Sequence, residues 1–563
     1  MHFGCAGGLR DPGLDMNGTD GTEIDTDVLV LGGGPAGTWA ALAAARAGSR
    51  VVLADKGYCG TSGPTASGGN NLWYLPPGPE RAAAVDRRHV EGGLLSEPAW
   101  MHRVLDETYR RVDDLAVNGR YPFGVDPETG RRRGSSLQGP EYMRRMRRMV
   151  HRAGVRILDQ SPALQLLVDA DGVVAGATGV HRRQGYESWT VRAGAVVLAT
   201  GGCAFLSGSF GTDVDTGDGH LMAAEAGAEF SGMEFSSAYA LAPSWSGHTK
   251  GLFMQFATFY DDQGARLGDD RATAMRYLLD GVPVHARLDR AHPDHRDLMR
   301  RSQPNYFLPL DKAGIDPFTE MYPVRAVLEG TVRGTGGLRI TGTDCGTSVP
   351  GLFAAGDVAT RELITGGRSG GGSHNGAWAM SSGSWSGAAA AAFARRRGVA
   401  DVASPIGGVG LVGDPDRAAT RSIIGLVQEH TLPLERSFRR TARSLEDSIA
   451  ALDDAWTAAP VVLGGRGREL VRARSGAALL AMARWVSHTA LARAETRGMH
   501  VRADHADTDP GFRYRLVTSG LDRVDVRADS GPAGRAESDP AGRADSDPAG
   551  RAEGRPARRG ASR

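Results

Sequence analysis

The chain has 563 residues, and its 66 Lys and Arg against 65 Asp and Glu leave a net charge of +1, so no global field draws it to nucleic acid or an acidic membrane. Glycine stands at 79 positions, roughly double average usage, while 41% hydrophobic and 23% charged residues are globular values that exclude disorder of the whole chain. Cys5, Cys59, Cys203 and Cys345 are scattered with no C-x-x-C, which argues against an intrinsic iron–sulfur cluster, a zinc site or a disulfide framework and fits a reducing cytosol.

No uncharged apolar stretch is long enough to span a membrane, and residues 1–25 lack the basic and apolar regions of a signal peptide. Met16 offers a second start, and residues 1–23 read as a disordered leader. The first strong pattern follows. Asp27 to Leu31 is a short Val-rich strand, Gly32-Gly33-Gly34-Pro35-Ala36-Gly37 is G-x-G-x-x-G, Thr38 to Ala47 is an Ala-rich helix, and Ser49 to Ala54 is a second strand ending at Asp55. Strand, glycine turn, helix, strand and acid in this order are what a dinucleotide site requires. Gly32 permits the tight turn, Gly34 lets a diphosphate approach the backbone, Gly37 lets helix and strand pack closely, and Asp55 can take ribose hydroxyls.

Helices are predicted over Pro98–Val117 and Pro140–Gly154, the second carrying Arg144, Arg145, Arg147 and Arg148, which read as a solvated face rather than a phosphate site. Short strands at Val155–Leu158, Ala163–Val168, Val173–Val180 and Ser188–Ala199, with a turn at Asp169–Gly172, make a small antiparallel insert that rejoins a parallel sheet. Two more helices are expected near Leu434–Ala459 and Arg466–Thr496. From Ser530 to Glu553 the run SGPAGRAE, SDPAGRAD, SDPAGRAE has no large apolar side chain, so it cannot offset its ordering entropy and should be disordered.

Distant segments carry further motifs: Ala199-Thr200-Gly201-Gly202 with Thr216-Gly217-Asp218-Gly219 and Met233-Glu234-Phe235; Gly336-Gly337-Leu338-Arg339-Ile340; Val349-Pro350-Gly351-Leu352-Phe353-Ala354-Ala355-Gly356-Asp357; and Glu495-Thr496-Arg497-Gly498-Met499-His500. With the N-terminal turn they resemble the flavoprotein superfamily of fumarate reductase, succinate dehydrogenase, L-aspartate oxidase and the alpha chain of adenylylsulfate reductase. The resemblance implies FAD and an oxidoreductase. It also implies an α/β fold, with a Rossmann-type, glutathione-reductase-like FAD-binding domain (24–235 and 325–400), an inserted α+β capping domain (236–324) and a helical C-terminal domain (401–526) before the tail (527–563). The cofactor contacts it implies are Gly32, Gly34, Pro35, Ala36, Gly37, Asp55, Lys56, Thr61, Ser62, Gly68, Gly69, Thr200, Gly201, Asp218, Asp357 for the ribityl hydroxyls, and Ser373 at the flavin edge, with Gly370–Gly372 as glycine-rich backbone beside the ring.

Departures from the family are equally specific. Ser62 stands where the succinate and respiratory fumarate enzymes carry the His that joins covalently to FAD, so the FAD should be non-covalent. Ser236–Pro243 and Gly251–Phe256 replace the family's Q-x-H-P-T-G and R-G-E-G-G, and Val332-Arg333 replaces the His of H-Y-T-M-G-G, which argues against fumarate, succinate and aspartate as substrates. Arg368 matches the family's substrate-carboxylate Arg and His374 sits in an S-H-x-x-G spelling similar to adenylylsulfate reductase, so these two are the expected catalytic pair, with Tyr239, His248 and Lys250 as weaker candidates. The expected reaction is hydride transfer at flavin N5 with a small polar or anionic substrate under a closing cap. Electrons would pass to a ferredoxin-like iron–sulfur partner, a quinone or dioxygen. The rival readings are a solitary oxidase of a small amino or hydroxy acid, the flavin-carrying chain of an adenylylsulfate-reductase-like complex, and a flavin-binding protein whose cap serves only as an assembly surface.

Overall fold

Residues 28–31, Val-Leu-Val-Leu, offer water no polar face, and they form the buried end of β1 (Thr22–Leu31) inside an eight-stranded sheet. In the computed structural model, which describes residues 21–529 apart from 126–129, 131, 250, 370 and 412–415, β1 pairs in parallel with β2 (Val51–Ala54) on one side and with Glu187–Leu198 on the other. Arg156–Leu158 extends the parallel run beyond β2, and Leu352–Ala354 joins Glu187–Leu198, also in parallel. Val174–His181 and Ala163–Val168 then run antiparallel and Ser404–Pro405 closes that edge, so the sheet is the mixed, Rossmann-type one expected.

The link from β1 to β2 is helix α1 (Pro35–Arg46), with Pro35 at a first-turn position where its missing N–H is not needed. On α1 lies the 27-residue helix Gly371–Arg397. A Cβ at Gly383 would stand 2.3 Å from the Ala36 carbonyl oxygen and one at Gly387 2.1 Å from that of Ala40, so these two glycines set the close approach. Of Gly370–Gly372, expected as glycine-rich backbone beside the ring, Gly370 lies outside the described residues and the other two open this helix. Gly371 and Gly372 are helical, packing having overridden poor intrinsic propensity.

Pro98–Val117 is helical over the predicted span, and the arginine-rich helix runs Gly139–Arg152. Its arginines are mostly engaged: Arg144 and Arg145 pair with Glu141, and Arg147 with Asp159. The expected helix 434–459 is divided, because Thr441 caps a new helix, Ala442–Val462, through a reciprocal bond pair with Ser444. The last long helix is Arg468–Ala492.

The inserted segment folds as a five-stranded antiparallel sheet in the order Ala238–Pro243, Tyr322–Glu329, Val284–Arg287, Thr258–Tyr260, Arg266–Gly268. Tyr322–Glu329 runs through the expected boundary at residue 324. The C-terminal region is not purely helical. Leu516–Ser519 and Asp525–Ala528 pair with each other, and the first reaches back to Phe230–Ser231, which also pairs with Gly337–Leu338. Ordered pairing thus reaches Ala528, past the expected start of the tail, and at the other end includes Thr22 and Glu23 of the expected leader. The remainder of the leader and the repeat from residue 530 lie outside the described residues. Among the described residues no helix is long and apolar enough to cross a membrane.

Candidate functional site

The glycine turn is dictated by packing. Gly32 has φ +108°, and a Cβ there would sit 2.1 Å from the Ala199 carbonyl oxygen. At Gly37 it would lie 1.8 Å from the Gly32 carbonyl oxygen. At Gly34 a Cβ meets no protein atom within 4 Å, so what it would occupy is the cavity in front of the turn. That cavity is walled by Gly32, Gly34, Pro35 and Ala36 of the turn, by Asp55, Ser62 and Gly69, by Thr200 and Gly201, and by Asp357, four separate stretches brought together by the sheet. Asp215, Arg333 and Asn375 line it as well and were not foreseen as cofactor contacts.

Asp55 is almost fully buried. Its Oδ2 accepts from the Gly33 amide at 2.5 Å, and its Oδ1 from the Gly57 amide at 2.7 Å and the Ser62 hydroxyl at 2.8 Å. Burial still pushes its carboxyl above the ordinary value, these three donors opposing the shift. Ser62 therefore braces the acid at the end of β2. A smaller cavity of about 50 Å³ shares Gly32, Asp55, Ser62 and Thr200 and adds Lys56 and Asp218. Lys56 Nζ donates to Asp218 at 2.6 Å, Thr216 at 2.7 Å and Ser475 at 2.9 Å, so this pair is internally neutral.

Other expected contacts stand elsewhere. Thr61 is exposed and faces a surface cleft with Arg144 and Arg148, because the turn at Tyr58–Ser62 rotates it away from Asp55. Gly68 is used by the fold, its carbonyl accepting from the Gly139 amide at 2.9 Å. Ser373 lies in the first turn of the long helix, its hydroxyl 3.2 Å from His374 Nδ1 and its carbonyl bonded to the Trp73 amide. His374 packs against Trp73 with ring centroids 4.4 Å apart and planes tilted by 33°; its neighbours Asn375 and Gly376, rather than His374 itself, line the first cavity. Arg368 has an exposed side chain and lines neither this cavity nor the next, although residues 361–367 before it are buried. Tyr239 donates to the Leu432 carbonyl at 2.9 Å and His248 packs between Phe210 and Tyr306, both within the fold; Lys250 lies outside the described residues.

A second cavity, of about 550 Å³, opens between the five-stranded sheet and the flavin side. Its walls include Thr249, Gln255, Arg271, Arg290 and Gln303 from the inserted segment and Gly69, Asn71, Arg333 and Gly371 from the other side. Gly69 and Arg333 belong to both cavities, which therefore adjoin. Arg290 is committed, donating to the Asp269 carbonyl at 2.8 Å. Arg271 has an exposed side chain that lines the cavity, and the protein packed around it lowers its guanidinium's affinity for the proton, with Glu329 opposing and Arg333 adding to the effect. Glu329, itself buried, accepts from the Thr249 hydroxyl at 2.7 Å and lies 3.4 Å from Arg333 Nε. Asp269 and Asp270 line the cavity as well, Asp269 3.7 Å from Arg290, so with Glu329 beside Arg333 the arginines here are matched by carboxylates.

The family motif at the C-terminus is structural. Arg493 pairs with Glu234 at 2.7 Å and Glu495 at 2.9 Å, and Glu495 with Arg497 at 2.6 Å, all buried. His500 accepts from Arg440 at Nδ1, so its Nε2 carries the proton that reaches the Arg493 carbonyl, and burial holds this ring neutral.

Comparison with known families agrees with this geometry. The FAD binding domain model matches residues 27–374, over half of the chain, and the fumarate reductase flavoprotein C-terminal model matches residues 435–528. The chain belongs to the fumarate reductase and succinate dehydrogenase flavoprotein superfamily. It is an FAD-dependent oxidoreductase. L-aspartate oxidase of Streptomyces coelicolor is 28% identical, covering 89% of this chain and 92% of its own. A chain of the CoM/CoB fumarate reductase of Methanothermobacter marburgensis is 25% identical over 88% of this chain and 97% of its own. In fold, the E. coli quinol fumarate reductase FrdA superposes with a TM-score of 0.75 at 21% identity, covering 90% and 97% of the two chains. Adenylylsulfate reductase of Archaeoglobus fulgidus gives 0.71 at 18%, covering 91% and 97%. The residues present fit FAD: an open cradle at Gly34, a helix N-terminus behind it, and carboxylates at Asp55 and Asp357 on the cavity wall.

Proposed function

We propose that this flavoprotein oxidises or reduces a small anionic substrate held in the second cavity between Arg271 and Arg333, with FAD bound non-covalently in the first. The observation that carries the reading is that Arg333 lines both cavities, so an anion on its guanidinium stands at their junction. FAD, when bound, supplies the centre that accepts or gives up a hydride. Arg271 and Arg333 supply donors from opposite walls, the geometry that orients a carboxylate or similar oxyanion. Glu329 fixes Arg333 and Thr249, and its negative charge disfavours a second anionic group entering on that side. Ser62, bonded to Asp55, has no ring nitrogen with which to form a flavin link. Arg368 and His374 pass from catalysis to the periphery of the site in this reading.

The test is an anaerobic screen of small carboxylic, sulfonic and amino acids for bleaching of the flavin absorbance. A hit that is lost in both Arg271→Met and Arg333→Met, with FAD retained, supports the assignment. A hit retained in both variants and lost in Arg368→Ala would return the site to the exposed loop.

The identity to L-aspartate oxidases over most of the chain favours an amino or hydroxy acid as substrate and dioxygen as acceptor. The match to one chain of a fumarate reductase favours instead a partner protein carrying the electrons onward. Stoichiometric hydrogen peroxide during turnover selects the first; turnover only with an artificial electron acceptor selects the second.

A further inference from the structure

Arg361 is wholly buried and lines neither cavity, yet it touches the framework of both. Its Nη1 donates to Asp357 Oδ1 at 2.5 Å. Its Nη2 donates to the carbonyl of Thr331 at 2.5 Å, to that of Val332 at 3.4 Å, and most closely to that of Gly334. The last three belong to the short helix Gly330–Arg333 and the residue that ends it. Carbonyls at a helix C-terminus have no partner within the helix, and a cation placed there satisfies them and complements their dipoles. The turn so capped ends at Arg333, whose side chain reaches both cavities, while Val332 and Asp357 line the first. Asn375 on the long helix adds a bond to the Val332 carbonyl at 3.2 Å.

Burying a guanidinium is costly unless its charge is paired, and here, with Nε left without a hydrogen bond, Nη1 is committed to the flavin-side carboxylate and Nη2 to the substrate-side turn. A neutral side chain of similar volume would fill the space without linking the two. Resting on the reading of the second cavity above, we propose that Arg361 is a positioning residue that ties Asp357 to the turn presenting Arg333, so that filling the flavin cavity orders the anion site. Linkage makes the effect reciprocal: an anion on Arg333 tightens FAD by the same factor that FAD tightens the anion.

The experiment follows amide exchange over residues 330–335 with and without FAD, then titrates the holoenzyme with malonate as the small-anion probe while recording flavin absorbance. In the wild type FAD slows exchange of this segment, and malonate perturbs the flavin spectrum and slows it further. Arg361→Met retains FAD, loses the FAD-dependent protection, and needs at least tenfold more malonate. Arg361→Lys recovers part of both, because an ammonium cannot bridge two sites as a planar fork does. If Arg361→Met does not fold, Arg361→Lys decides. Wild-type protection and wild-type malonate affinity in the variant that folds would overturn the proposal. Arg333→Met separates the two readings: unchanged malonate binding there removes the second-cavity assignment, whereas loss there with wild-type behaviour of the Arg361 variants removes the positioning role alone.

Discussion

A single methyl group added at Gly37 would place a carbon 1.8 Å from the Gly32 carbonyl oxygen, whereas truncating Arg271 would only enlarge a cavity of about 550 Å³. The contrast separates the two halves of the site. The flavin cavity is built from backbone and glycine, with β1 and α1 pressed together and its acid, Asp55, fixed by two amides and Ser62. The second cavity also has glycines in its wall, Gly69, Gly251 and Gly371, but its charged groups, Arg271, Arg290 and Arg333, are long side chains on separate elements. A backbone-built site cannot change without disturbing the fold. A side-chain-built site can change its substrate while every strand stays in place, and such a chain can carry the superfamily's cofactor site with different substrate chemistry.

The strongest test of this contrast is paired. Gly37→Ala should cost about 3 kcal/mol or more of stability through overpacking against Gly32, seen as a lowered Tm even before flavin is added. Gly34→Val should leave the apoprotein's Tm near wild type and abolish flavin uptake, because its side chain meets only the cavity. Equal loss of Tm in both would show that the turn is not divided in this way.

Next in size, Arg333→Met or Arg271→Met should lower kcat/KM for an anionic substrate by roughly 2–5 kcal/mol with FAD still bound. Arg368→Ala should stay within about twofold, because Arg368 lines neither cavity. A large loss in Arg368→Ala alone would reverse the assignment.

A third prediction concerns pH. Glu362 is buried, and that burial, with the nearby Glu234, pushes its carboxyl up to about 8. Its folded pKa lies above its unfolded one, so its contribution to stability is complete below about 4.5 and is lost as pH rises toward about 8. Melting temperature should therefore fall over that interval in the wild type and fall less in Glu362→Gln. Parallel curves for the two proteins would sink the attribution. Smallest, Ser62→Ala should weaken FAD binding by only about 1 kcal/mol, the worth of one hydrogen bond to Asp55, and acid precipitation should release all flavin from both proteins. Fluorescence left on the precipitated polypeptide would contradict a non-covalent cofactor.

What could be read in advance follows the same division. The strand, turn, helix and acid at 27–55 were legible because their chemistry is carried by local spacing, and Pro98–Val117 because its periodicity is uninterrupted. Of the two arginines proposed for the anion, Arg333 was marked only as a departure from a family His and Arg271 by nothing local, because only the fold brings the helix Arg271–Leu279 and the turn Gly330–Arg333 to one cavity. Position in a family motif pointed to Arg368, whose side chain is exposed and lines neither cavity. Gly371–Arg397 was not read as a helix because its glycines lower intrinsic propensity, while Gly383 and Gly387 serve close packing against α1.

The pairing of Phe230 with Thr518 has a consequence for biosynthesis. The edge at Phe230–Ser231 leaves the ribosome about half a chain length before the strand that covers it, which at usual elongation rates is a delay on the order of tens of seconds. During that time the edge offers open amides and carbonyls to any neighbouring strand. Translation that stalls before Leu516 would release a chain with its cofactor motifs complete and this sheet unfinished, a natural client for chaperones and proteases.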